Sequence, residues 1–160
     1  MALSTPPTNC CDRRLNLLLS DDGWRSDSWS SQLPQLLGPM GVRSIRVECT
    51  REAEDVIRTM PVHIAVIDLA MPLDSRTPEG VCRPGGVRVL QLLRRVSPAP
   101  PPTVVVRDGA PLERDRVRDL TAALRDGAFA VMDQPVRVET LLDILRRILQ
   151  RHYSGLWPNS

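Results

Sequence analysis

The sequence predicts an α/β chain: a central five-stranded parallel sheet covered by helices on both faces. Two observations predict it. Five short apolar runs, each ending in a polar residue, alternate with stretches whose apolar residues recur at helical spacing. Three of those runs are continuously apolar, the pattern of strands buried between two helical layers.

Residues 1–13 read as a flexible lead-in, residues 14–150 as one domain with an inserted loop at 73–85, and residues 151–160 as a tail. Leu15, Leu17, Leu18 and Leu19 form a buried strand that ends at Ser20-Asp21-Asp22. A weak helix from Trp24 to Leu37 turns Leu33, Leu36 and Leu37 inward, and Pro34 removes one of its hydrogen bonds. Gly38-Pro39 and Gly41 stop it, and Val42 to Val47 alternates apolar residues with arginines, as a half-exposed edge strand does. Thr50 is the expected cap of a helix whose Ala53, Val56, Ile57 and Met60 share one face. The most apolar strand follows, from His63 to Ile67, and runs directly into Asp68.

The loop at 73–85 is rich in Pro, Gly, Ser and charge, and a helix from Gly86 to Val96 then places Val89, Leu90, Leu93 and Val96 on one face. After a proline-rich connector, Val104 to Val106 forms a strand ending at Arg107. The next helix carries Val117, Leu120 and Leu124, and Gly127 closes it. Ala128 to Met132 is the fifth strand and Gln134-Pro135 a turn. Leu141, Leu142, Ile144, Leu145, Ile148 and Leu149 mark an amphipathic last helix.

Composition narrows the function classes. The 21 basic residues are all arginines and nearly cancel 19 acidic ones, so the basic footprint of a nucleic-acid binder is missing. Aromatic residues make up 3% of the chain, too few for a base-stacking platform. With no lysine, Schiff-base chemistry and a phosphate-loop lysine are excluded. Cys10, Cys11, Cys49 and Cys82 lack the spacing of a zinc or redox motif and read as reduced, cytoplasmic thiols. No leader-like h-region and no apolar stretch of roughly 20 residues is present, so a soluble protein without a membrane partner is expected.

In an open α/β sheet, ligands bind beyond the carboxyl ends of the strands, where strand order reverses. Asp21, Asp22, Asp68, Arg107 and Gln134 all fall at such ends. Converging carboxylates repel one another unless a cation is bound, and hard oxygen donors suit Mg²⁺. Taken singly, Asp22 reads equally as a helix N-cap and Asp68 as a turn residue.

The Asp21-Asp22 pair, the HIAVIDLAMP segment at 63–72 and the GAFAVMDQP segment at 127–135 together resemble the landmarks of response-regulator receiver domains over about residues 15–150. The resemblance implies a flavodoxin-like (βα)₅ fold and a role in two-component signal transduction. It places Asp68 at the phosphoacceptor position, and Asp21, Asp22, Asp68 and the Ala70 backbone carbonyl as ligands of Mg²⁺. Mg²⁺ would neutralise carboxylate and phosphoryl oxygens for in-line transfer from a histidine kinase, with no general base required.

Three departures qualify that reading. Arg107 stands where the family has a hydroxyl residue, Gln134 where it has a lysine, and Val131 where it has an aromatic switch residue. Gln134 donates hydrogen bonds but carries no charge. Arg107 has three open readings: a bidentate phosphoryl ligand, an ion pair to Asp68 that fixes the site, or a side chain extended into solvent. The loop at 73–85 is about ten residues longer than the family's connection and reads as a surface segment beside Asp68, or as a lid. Cys82 reads as a bystander, and neither His63 nor His152 is positioned as a phosphotransfer histidine.

The function expected from these residues is an atypical, non-enzymatic receiver. The leading form is a pseudo-receiver working through a protein partner, either a histidine kinase or a downstream signalling protein. A phospho-accepting receiver using Asp68 and Mg²⁺ is the second form, and a Mg²⁺-dependent phosphatase the third. Only residues 150–160 follow the last helix, so output is expected to pass through a partner. The family's docking face of fourth helix, fifth strand and fifth helix is the expected surface, with a homodimer through it as one option.

Overall fold

The computed structural model describes residues 15–20, 29–74, 85–96, 100–107, 125, 127–133 and 136–153. Five strands form a single parallel sheet: β1 (Leu15–Ser20), β2 (Val42–Val47), β3 (Ile64–Asp68), β4 (Thr103–Arg107) and β5 (Ala130–Asp133). Their spatial order is β2-β1-β3-β4-β5. Strand order therefore reverses between β1 and β3, which puts the carboxyl end of β3, and Asp68 with it, at the switch point.

The described helices are α1 (Trp29–Leu37), α2 (Thr50–Thr59), α3 (Gly86–Arg94) and α4 (Val138–Tyr153), with a 3₁₀ turn at Gly38–Met40. Because successive strand residues point to opposite faces, the sheet divides its side chains between two cores. Leu17, Leu19, Val66, Val104 and Val106 meet α1 and α4 on one face. Leu18, Ala65, Ile67 and Val105 meet α2 and α3 on the other. Burial from both sides is why Leu17–Leu19 in β1, Ile64–Ile67 in β3 and Val104–Val106 in β4 read as unbroken apolar runs.

The predicted three-layer α/β sandwich with a five-stranded parallel sheet is the architecture observed. β2 is an edge strand, with Arg43 and Arg46 exposed as expected and Val42 and Val47 buried, but its burial does not alternate residue by residue, since Ser44 and Ile45 are both half-buried. On α4, Leu141, Leu145, Ile148 and Leu149 are buried, while Leu142 and Ile144 flank them half-buried. The helix expected around Val117, Leu120 and Leu124 lies outside the described residues. Gly127, expected to close it, has φ +88°, a left-handed conformation that only glycine adopts without strain.

Several local expectations are corrected. α1 accommodates Pro34 within the helix, and Leu36 is 44% exposed where an inward side chain was expected, since Leu33 and Leu37 fill the core-facing positions. Thr50 is not the cap of α2. Cys49 occupies that position without a side-chain capping bond, and Thr50 begins the helix with its hydroxyl turned to another segment. The third strand starts at Ile64 rather than His63, and α3 ends at Arg94, two residues before Val96. The fifth strand starts two residues later than expected and extends one further, to Asp133. That extension changes the site.

Candidate functional site

Asp68 ends β3 with its side chain inside the protein, at 0% exposure. Its backbone N–H donates to the Ser20 hydroxyl at 2.9 Å, and that hydroxyl donates to the Val66 carbonyl at 3.2 Å. One buried serine at the end of β1 thus ties the carboxyl ends of two neighbouring strands. Such tethering fixes the backbone from which the Asp68 carboxylate projects.

The chain turns immediately after Asp68. The Leu69 N–H donates to the Val106 carbonyl on β4, and the Met71 N–H donates to the Asp68 carbonyl at 3.1 Å. Within that turn the Ala70 N–H donates to Asp68 Oδ1 at 2.8 Å. The two described members of the expected metal set, Asp68 and Ala70, are therefore held on one tight turn. Asp21 and Asp22 lie outside the described residues. Among the described residues no group of three or more His, Cys, Asp or Glu side chains is gathered as a metal site. The full set of three carboxylates and one backbone carbonyl is an all-oxygen donor set, the chemistry that fits a hard divalent cation.

Two segments close over this turn. The Thr50 N–H donates to the Pro72 carbonyl at 2.9 Å, and the Thr50 hydroxyl reaches the Gly85 carbonyl at 3.0 Å and the Pro72 carbonyl at 3.4 Å. The Gly85 N–H donates to the Met71 carbonyl at 2.6 Å. The long loop between β3 and α3 consequently has its two ends bonded to each other and to the start of α2. Residues 75–84 of the loop, including Cys82, lie outside the described residues. A Cβ on Gly86 would stand 2.5 Å from the Asp68 carbonyl oxygen, and one on Gly85 would stand 2.0 Å from the Thr50 hydroxyl. Only glycine lets the first turn of α3 approach the Asp68 backbone this closely.

Arg107 corrects one of its three readings. It is buried, so the solvent-extended arrangement is not adopted. Its Nε–H donates to Asp133 Oδ1 at 2.6 Å, across the register pair Arg107–Asp133 that closes the β4–β5 ladder. Burial explains the pairing, because a guanidinium removed from water is stable only with a charged or strongly accepting partner. The ion pair to Asp133 is one that sequence reasoning missed. The carboxylate sits next to Gln134, which was singled out, but its match to Arg107 appears only once β5 is extended and its register is known.

Val131, in the position expected to carry an aromatic switch residue, is half-buried against the core formed with α2 and α3. Gln134 lies outside the described residues. Val106 is the register partner of Asp68, so Arg107 stands one residue beyond the strand position paired with the acidic residue.

The opposite end of the sheet carries a second polar constellation. His63 precedes β3, and its Nδ1 accepts the Asn16 N–H at 2.9 Å. The His63 N–H donates to the Asn16 carbonyl, the Tyr153 hydroxyl donates to the His63 carbonyl, and the two rings meet edge to face at 6.0 Å. Burial holds the His63 pKa below its ordinary value and the Tyr153 pKa above its own. A cavity of about 630 Å³ at this end is bounded by His63, Tyr153, His152, Arg58 and Pro100 to Pro102. It is remote in the fold from Asp68, since the strands are parallel and the two sets occupy opposite strand ends.

No protein-family model matches the sequence, and no curated protein matches it. Solved structures do share the fold. A CheY-like response regulator receiver domain from Methanospirillum hungatei superposes with a TM-score of 0.64 at 19% identity, covering 89% of this chain and 98% of its own. The receiver domain of NtrX from Brucella abortus gives 0.62 at 16% identity, covering 84% and 98%. A response regulator protein from Burkholderia pseudomallei, crystallised with a phosphorylated aspartic acid and a calcium ion, gives 0.59 at 17% identity, covering 88% and 74%. At these identities the similarity establishes the CheY-like fold.

Proposed function

We propose that this chain is a receiver-like signalling module that works through a protein partner, with phosphorylation switching at Asp68 impaired or absent. The observation that carries the reading is the pairing of buried Arg107 with Asp133. At the position where a receiver's small hydroxyl would follow a phosphoryl group, the chain has a long cation already engaged by a neighbouring strand. Moving it requires breaking a charge-assisted bond inside the protein, which costs more than rotating a hydroxyl. Val131 removes the ring that would accompany such a movement.

Further support comes from Asp68 itself. With no exposed surface, its carboxylate is reached by a phosphodonor only after the surrounding segments open. Asp21, Asp22, Asp68 and the Ala70 carbonyl are the residues that would hold Mg²⁺. When bound, the ion supplies charge neutralisation at the carboxylates. Cation binding and phosphoryl acceptance are separable in this reading: the acidic site is retained while the residues that couple it to a switch are replaced. No catalytic turnover is assigned to it.

The test treats the full chain and Asp68→Asn with a small phosphodonor, or with beryllofluoride, in the presence of Mg²⁺. Intact mass and amide NMR spectra are then compared. The proposal expects no stoichiometric modification that depends on Asp68 and no shift propagating to β5 and α4. Stoichiometric, Asp68-dependent modification would instead establish a phospho-accepting receiver.

A further inference from the structure

We infer that the cavity at the amino ends of the strands is a binding site for a small aromatic carboxylate, with Arg58 and the His63 ring as the donors that take its charge. The site is separate from Asp68 and does not rest on the reading proposed for that residue.

Size and walls come first. A cavity of about 630 Å³ falls within the ~300–1,000 Å³ of sites that enclose small molecules. Ile57, Met60, Val62 and Pro100 to Pro102 give it apolar walls, so its ligand needs an apolar body. The ring of Tyr153 meets those of His63 and His152 at 6.0 and 6.3 Å, edge to face and tilted, an arrangement that a further flat ring can extend.

The polar groups set the sign of the charge. Arg58 borders the cavity, and among the described residues no aspartate or glutamate does. Its guanidinium forms no ion pair with any described residue. His63 adds a donor: with Nδ1 accepting the Asn16 amide proton, the neutral ring carries its own proton on Nε2. Among the described residues Nε2 has no hydrogen-bond partner, yet it is not sealed off, because the one buried side-chain nitrogen or oxygen without a partner among them is Ser44 Oγ. The Tyr153 hydroxyl already donates to the His63 carbonyl. α2, α3 and α4 all end at this edge, where their terminal carbonyls repel an anion. Basic residues in the last turns offset that partial charge: Arg58 on α2, Arg94 on α3, and Arg151 with His152 on α4.

Three probes that share an indole ring test both the site and the sign: indole-3-acetate, the neutral indole-3-acetamide and the cation tryptamine. Each is titrated into the full chain and followed by ¹H–¹⁵N NMR. Indole-3-acetate should give saturable shifts at the Val62, His63, Val96 and Tyr153 amides and at His63 Nε2. Its Kd should be on the order of tenfold below those of the other two, the scale of one hydrogen bond to a charged group. Arg58→Gln should raise the indole-3-acetate Kd by about the same factor and leave the indole-3-acetamide Kd unchanged. Arg147→Gln is the control for net charge, being exposed on α4 and away from the cavity wall, and should stay within about twofold of wild type. Both substitutions fall on exposed helix positions, so the comparison does not depend on rebuilding the core. Equal affinity for the three probes, equal losses in the two variants, or no saturable shift at the named groups overturns the inference.

Discussion

The carbonyl oxygen of Asp68 lies where a side chain on Gly86 would have to go: a Cβ built there stands 2.5 Å from that oxygen and 2.6 Å from the Leu69 Cα. Both obstacles are backbone, so neither can rotate away. Gly86→Ala should therefore displace either α3 or the turn after β3, with a cost of about 1–3 kcal/mol, the usual range for overpacking a tight site. Urea unfolding gives the stability change, and the Asp68 to Met71 amide resonances report the displacement. Gly38→Ala is the control, because a Cβ at Gly38 meets nothing within 4 Å. Equal costs for the two substitutions would show that close approach is not what Gly86 provides.

The Arg107–Asp133 pair should respond unequally to loss of its two members. Asp133→Ala removes one carboxylate partner from a buried guanidinium and should cost about 1–3 kcal/mol. Arg107→Met fills much of the same volume with apolar atoms and leaves behind a carboxylate that is well hydrated, so it should cost under about 1 kcal/mol. Chemical denaturation of both variants measures the difference. The reverse ranking would mean that the burial of Arg107, rather than its charge, dominates.

Thr50 should behave as a clasp for the long loop rather than as a helix cap. Thr50→Val keeps the β-branched shape while removing the hydroxyl that reaches the Gly85 and Pro72 carbonyls. A loss of about 0.5–1.5 kcal/mol is expected, the range for one intramolecular hydrogen bond. Hydrogen exchange should quicken at the Gly85 amide, which bonds to Met71, before it quickens in the body of α2. If exchange rises first along α2, the hydroxyl serves the helix.

Acid should loosen the end of the sheet that His63 holds. Its Nδ1 accepts the Asn16 amide proton, which only the neutral ring can do, and burial keeps the folded-state pKa below the unfolded value of about 6.5. The unfolded chain therefore takes up the proton more readily. This contribution to stability is complete above about pH 6.5 and is lost as pH falls below that value toward the depressed folded pKa. Urea midpoints measured between pH 7.5 and 5 should fall for wild type, and His63→Asn should flatten that part of the profile. An unchanged slope in the variant would assign the effect to another group.

The parts of the fold legible in the sequence are those governed by local pattern. The run from Ile64 to Ile67, apolar on both sides and ending in Asp68, announces a doubly covered strand and the residue at its tip. Val42 to Val47 announces an edge, because Arg43 and Arg46 need water. The features that eluded pattern depend on which strands become neighbours. Nothing near Asp133 in the sequence signals Arg107, 26 residues earlier, and the bond requires both the β4–β5 pairing and its register. Thr50 resembles a cap because a hydroxyl before an amphipathic helix normally is one. Its true acceptors, 22 and 35 residues later, arrive only with the third strand and the third helix. Ser20 could have been singled out: a hydroxyl closing the leucine run Leu17–Leu19 has to find buried partners, and it finds them at Val66 and Asp68.

The bonds among Met71, Thr50 and Gly85 also give the molecule an engineering handle. Since the loop's two ends are stapled at its base, added length between them enlarges a ring that is already closed. The entropic cost grows only with the logarithm of that length, about 0.6 kcal/mol per doubling. A fluorescent reporter or affinity peptide spliced between Asp74 and Gly85 would thus be carried on a base bonded to the turn that follows Asp68, while the strand order and both cores stay in place, making this junction the natural port for attaching a probe.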